Sequence, residues 1–143
     1  MAGILANQFK LVKLLGNTVA DTDQDEVTGN AIDARGFDRA LFILQLGAVT
    51  ATGTLTLNVQ EGAEAAGDFV DIAGANLGES ALVLTGKSDN EIFMDVPVNE
   101  GYLKVQYQRA TANVEIDVLN VILYNPKKLP VADNSTLLKE VIV

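Results

Sequence analysis

The densest cluster of side chains able to do chemistry is "DTDQDE", residues 21 to 26. Asp21, Asp23 and Asp25 have the spacing of the first three ligands of a calcium loop, in which alternate carboxylates turn toward one cation. The pattern then breaks. Glu26 stands where that loop needs glycine for its sharp turn, and Ile32 where a bidentate glutamate would close the shell. A solvated acidic loop is the better reading. Glu115 and Asp117 form a second acidic pair, on one face of a strand and about 7 Å apart by strand rise. Glycoside hydrolysis uses carboxylates about 5 to 9.5 Å apart, flanking the sugar. With no tryptophan, three tyrosines and five phenylalanines in the chain, no row of sugar-stacking rings accompanies the pair, which reads as a solvated or interface face.

Several other chemistries are excluded by residue type. The chain has no cysteine and no histidine, which removes disulfides, thiolate nucleophiles, ordinary zinc sites and every triad with an imidazole base. The glycines of "GAEAAGDF" (62 to 69) have neither dinucleotide nor P-loop spacing, and they open no helix. Gly62 and Gly67 are expected at tight turns. Tyr102 and Tyr107 alternate to opposite faces of their strand, so they make no shared ligand platform. The expectation is a protein without catalysis, cofactor or metal.

The elements that must position these residues are strands. At 143 residues the chain fits one domain with a core of its own. Period-2 alternation dominates and helical periodicity is nearly missing. Strands are expected over 9–15 (with a helical turn as the alternative there), 31–35, 40–46, 54–61, 69–73, 81–84, 91–96, 101–109 and 114–124. The stretch 17–30 is expected to run over the surface. Short polar connections between roughly eight strands point to an all-β fold: an antiparallel β-sandwich, jelly-roll-like, with extended N- and C-terminal arms. A closed antiparallel barrel is the alternative. The organisation expected is an N-terminal arm or first strand at 1–16, the sandwich at 17–125 and a C-terminal arm at 126–143.

Charge and hydropathy narrow the partners. Nineteen acidic against ten basic residues give a formal charge of −9, which repels phosphate backbones and argues against nucleic acid. No apolar run approaches the roughly 20 residues that span a bilayer, and "MAGILANQFK" lacks the pattern of a signal peptide. Yet 48% of the residues are hydrophobic, and the segment 40–46 is apolar at almost every position. A sandwich strand normally hides one face. A strand apolar on both needs a loop, a terminus or another subunit over the outer one. Leu41 and Ile43, with Leu119, Val121 and Leu123 of an adjoining strand, are expected to form this second face. Burying each contributes about 1.5–3 kcal/mol, so a homo-oligomer is expected. Its contacts are expected from the apolar terminal segments, at Phe9, Leu11, Leu137, Leu138, Val141 and Ile142.

Four stretches, "GFDRALFILQLG", "TLTLNVQEG", "GDFVDIAGANLG" and "GYLKVQYQRA" with "VILYNPKKLPV", carry a family likeness. Over residues 17 to 131 the chain resembles small structural proteins of tailed bacteriophages, the head decoration or cement proteins. Lys127, Lys128 and the longer tail "STLLKEVIV" depart from that pattern. The resemblance implies a virion structural protein on the outer capsid surface, present in the host cytoplasm during assembly. It implies the major capsid protein as partner, together with copies of itself, a homotrimer ahead of a homodimer. An alternative from another class is a tail- or fibre-associated sandwich module that binds carbohydrate or another virion protein.

Overall fold

The computed structural model describes residues 8–15, 27–77 and 81–128. These form ten strands and no helix: β1 Phe9–Leu15, β2 Val27–Thr28, β3 Ile32–Asp33, β4 Phe37–Val49, β5 Thr54–Gly62, β6 Val70–Asn76, β7 Leu82–Val83, β8 Glu91–Pro97, β9 Tyr102–Ala110 and β10 Val114–Pro126. All strand pairs are antiparallel. The first sheet has the order β1-β10-β4-β8, and the second β2-β9-β5-β6, with β3 beside β9 and β7 beside β5. The described chain crosses between the sheets repeatedly, and β1 pairs with β10. That is the jelly-roll form of a β-sandwich.

Why these segments are strands is visible in their burial. In β5, Leu55, Leu57 and Val59 are buried while Thr56, Asn58 and Gln60 are not. Along β9, Leu103, Val105, Tyr107 and Arg109 are buried, and the residues between them face outward. Phe42, Leu44 and Leu46 of β4 meet them from the first sheet, with Val114, Ile116, Leu119, Val121 and Leu123 of β10, in one continuous core. Turns fall where the sequence breaks its alternation. Gly36, with φ +88°, links β3 to β4, a conformation that glycine adopts without steric cost. Its carbonyl accepts a hydrogen bond of 2.8 Å from the Lys127 N–H, tying the end of β10 to the start of β4.

The segment 9–15 is a strand, as its alternation allows: it is the edge strand β1, paired along β10. Two other expectations need correction. Leu119, Val121 and Leu123 do not form an outer face. They lie opposite Leu44, Phe42 and Ala40, so they point into the core and are at most 1% exposed. The residues beside Leu41 and Ile43 on the outer side are Ile122 and Asn120. Gly62 is not a turn residue either. It ends β5, and a Cβ there would come within 2.8 Å of the Asp68 carbonyl oxygen and 3.2 Å of the Phe69 ring. The loop and its aromatic ring approach too closely for a side chain.

Candidate functional site

The outer face of the first sheet is the surface that stands out. Its residues follow from the register in rows that cross the four strands. Phe9, Tyr124, Arg39 and Pro97 make the first row, and Leu11, Ile122, Leu41 and Asp95 the second. Lys13, Asn120, Ile43 and Phe93 make the third. Val118, Gln45 and Glu91 continue the face on three strands. An apolar band therefore runs diagonally over the sheet from Phe9 and Leu11 to Ile43 and Phe93. Phe93 is 63% exposed and Leu11 49%, while Leu41, Ile43, Val118 and Ile122 are half-buried by one another. Among the described residues, no strand packs over this band.

Polar groups frame it. Arg39 is 3.2 Å from Asp95, and the Tyr124 hydroxyl donates a 2.6 Å hydrogen bond to the other oxygen of the same carboxylate. The hydrogen bond to Asp95 raises the Arg39 pKa above its ordinary value. This closes the band at its β8 side in row two. In the third row the side-chain oxygen of Asn120 is buried and lacks a hydrogen-bond partner among the described residues. Buried polar atoms are nearly always paired, so this amide sits at the middle of the face with an acceptor to spare.

The acidic pair lies at the far end of the same face. Glu115 and Asp117 converge over Gly47: a Cβ there would be 2.7 Å from Asp117 Oδ1 and 2.9 Å from Glu115 Cδ. The Ala48 N–H donates to Glu115 at 3.4 Å, a long contact. Two register shifts between β4 and β10 bring the two carboxylates together. No group of three or more metal-ligating side chains occurs among the described residues. Asp21, Asp23 and Asp25 lie outside the described residues.

The second sheet presents a different outer face, built of amides and hydroxyls. Asp71 accepts hydrogen bonds from Gln60 (2.8 Å) and Asn58 (2.7 Å), and these two bonds, that from Gln60 first, lower its pKa. Asn58 also reaches Gln106 at 3.4 Å, and Gln106 reaches the Thr28 hydroxyl at 3.2 Å. The two exposed-side rings of this sheet are each occupied by a cation. Lys104 lies 4.3 Å from the Phe69 ring centre, and Arg35 lies 5.0 Å from that of Tyr102. Arg35 is itself held by Asp33 at 2.8 Å, and that hydrogen bond lowers the Asp33 pKa.

Of the contact residues expected from sequence, Phe9 and Leu11 fall on the outer face of the first sheet. Leu137, Leu138, Val141 and Ile142 lie outside the described residues. Sequence reasoning missed Phe93, the most exposed ring of the face; its position between Ile92 and Met94 in "EIFMDV" was the available signal, because a strand with apolar residues at three successive positions has an apolar side chain on each face. It also missed Arg109, a buried arginine on the core side of β9 that donates a 2.9 Å hydrogen bond to the Val114 carbonyl.

No protein-family model matches the chain, and no curated protein sequence matches it. No helix of the described residues is long and apolar enough to cross a membrane.

Proposed function

We propose that this chain is a virion structural protein that decorates and stabilises a tailed-phage capsid by binding across major capsid protein subunits. The observation that carries the reading is the outer face of the first sheet. It holds a band of large apolar residues that no described strand covers, on a chain with a formal charge of −9. Contiguous apolar surface of this kind marks interaction sites. A protein that works by adhesion needs such a face and no reactive group. The likeness of residues 17 to 131 to phage decoration proteins supplies the shell as the place where the face is covered. Contacts repeated around a symmetric shell add through effective concentration, so each one can be weak.

The reading has a direct test. Purified protein mixed with undecorated, expanded heads of the cognate phage binds to saturation at a fixed ratio to the major capsid protein, and the heads then melt at a higher temperature. Absence of binding at micromolar concentration overturns it.

A further inference from the structure

We infer that the outer face of the first sheet packs against the same face of a second copy, about a two-fold axis that runs along the strands between β10 and β4. This rests on the reading of that face as a surface covered in assembly, and it names the partner.

The charges on the face favour one arrangement. Its β1 edge carries Lys13, and its β8 edge carries Glu91 and Asp95, one row to either side of Phe93. Lys13 and Phe93 share a row. Lys13 and Glu91 are both exposed, and neither makes an ion pair among the described residues.

Two sheets stacked face to face keep their strands within about 30° of each other, which leaves two choices of in-plane two-fold axis. An axis across the strands, through the third row, lays Lys13 on Lys13 and sets Asp95 against Glu91, so like charges meet at both edges. An axis along the strands instead lays β1 over the partner's β8. The Lys13 stem then crosses the partner's Phe93, and its ammonium group lies between two carboxylates, while β10 lies over the partner's β4. Ile122 then meets the partner's Leu41, Asn120 the partner's Ile43 and Val118 the partner's Gln45. A long lysine stem suits that position, because it covers apolar surface while its head stays in water. Because the contact is isologous, each ion pair occurs twice.

The area sets the expected strength. Four strands about 4.8 Å apart and rows about 7 Å apart give a face some 15 by 20 Å. That lies well below the roughly 800 Å² per partner of a standard stable interface, so the dimer is expected to be weak and concentration-dependent.

Light scattering on the purified full chain at about 100 μM, followed by dilution in the ultracentrifuge, reads the stoichiometry. The expected mass is twice the 15.2 kDa of the chain. Lys13→Glu and Glu91→Lys each weaken association tenfold or more with unchanged circular dichroism, and the double exchange K13E/E91K recovers most of the loss. A monomer throughout, a three-fold assembly, or a double exchange as weak as the single variants overturns the inference. Binding to heads is scored separately: a monomeric chain that still saturates heads overturns the dimer alone, and a dimer that ignores heads overturns the decoration reading alone.

Discussion

The two sheets of this sandwich share a core but turn opposite surfaces outward. On the second sheet, Asn58, Gln60, Asp71, Gln106 and Thr28 bond to one another across four strands. On the first, the corresponding positions of β4 and β10 are Leu41, Ile43, Val118 and Ile122, and the next strands add Leu11 and Phe93. A face that satisfies its own polar groups has no need of a partner. One that exposes apolar side chains gains free energy whenever something excludes water from them. The difference teaches that the alternation of a strand identifies only the buried side. What the other side presents follows only from the pairing of the strands.

Substitutions at adjacent positions of β4 break the comparison most sharply. Phe42 is 1% exposed and its neighbour Ile43 faces outward. Phe42→Ala is expected to cost about 3–5 kcal/mol, as for a large core side chain. Ile43→Ala should cost less than about 1.5 kcal/mol, because little water-free surface is lost. Urea unfolding midpoints measure both, and equal losses would place the two side chains in equivalent surroundings.

The next effect falls on association. Ile122→Asp places a carboxylate in the middle of the apolar band, where it would have to be desolvated. Head binding should fall at least tenfold while the thermal unfolding of the isolated chain changes little. Thr56→Asp, on the outer face of the second sheet, is the control and should leave binding intact in a pull-down with heads.

Two smaller effects concern the polar frames. Tyr124→Phe removes the donor to Asp95 and is expected to cost roughly 0.5–1.5 kcal/mol, read from the same urea curves. Asp71 has a folded pKa below its ordinary value of 3.8, so its contribution is fully present above that value. The contribution is lost as the pH falls through the lower folded pKa. Because the group is exposed, the loss is under about 1 kcal/mol. Comparing wild type with Asp71→Ala in acid titrations of the melting temperature isolates it: the two curves should converge below pH 3.8.

Much of the fold was legible because strand alternation reports burial directly, as in Leu55, Leu57 and Val59 or Leu103, Val105 and Tyr107. Register was not. Placing Leu119, Val121 and Leu123 beside Leu41 and Ile43 assumed that odd-numbered residues face odd-numbered ones, whereas the pairing sets Leu119 against Leu44 and Val121 against Phe42. A slip of one residue turns a whole series to the other face. Nor does a single parity hold along β10: Val114 and Ile116 are buried, then Leu119, Val121 and Leu123, because the register shifts between Ile116 and Val118. The same irregularity gathers Glu115 and Asp117 over Gly47, which uniform strand rise does not anticipate. Phe9 and Leu11 were legible as apolar residues near the N-terminus, but their place on the outer face follows only from the pairing of β1 with β10. That Phe93 faces outward could be read from "EIFMDV", but its exposure at the sheet edge depends on pairing between segments far apart in sequence.

Hydroxyl-radical footprinting of the dilute isolated chain against the assembled particle bears most directly on the docking claim. Covering of the first sheet predicts strong protection of Phe93 and Leu11 on assembly, with Tyr102 and Phe69 of the second sheet labelled as before. Unchanged labelling of Phe93 and Leu11, or protection confined to Tyr102 and Phe69, would contradict it.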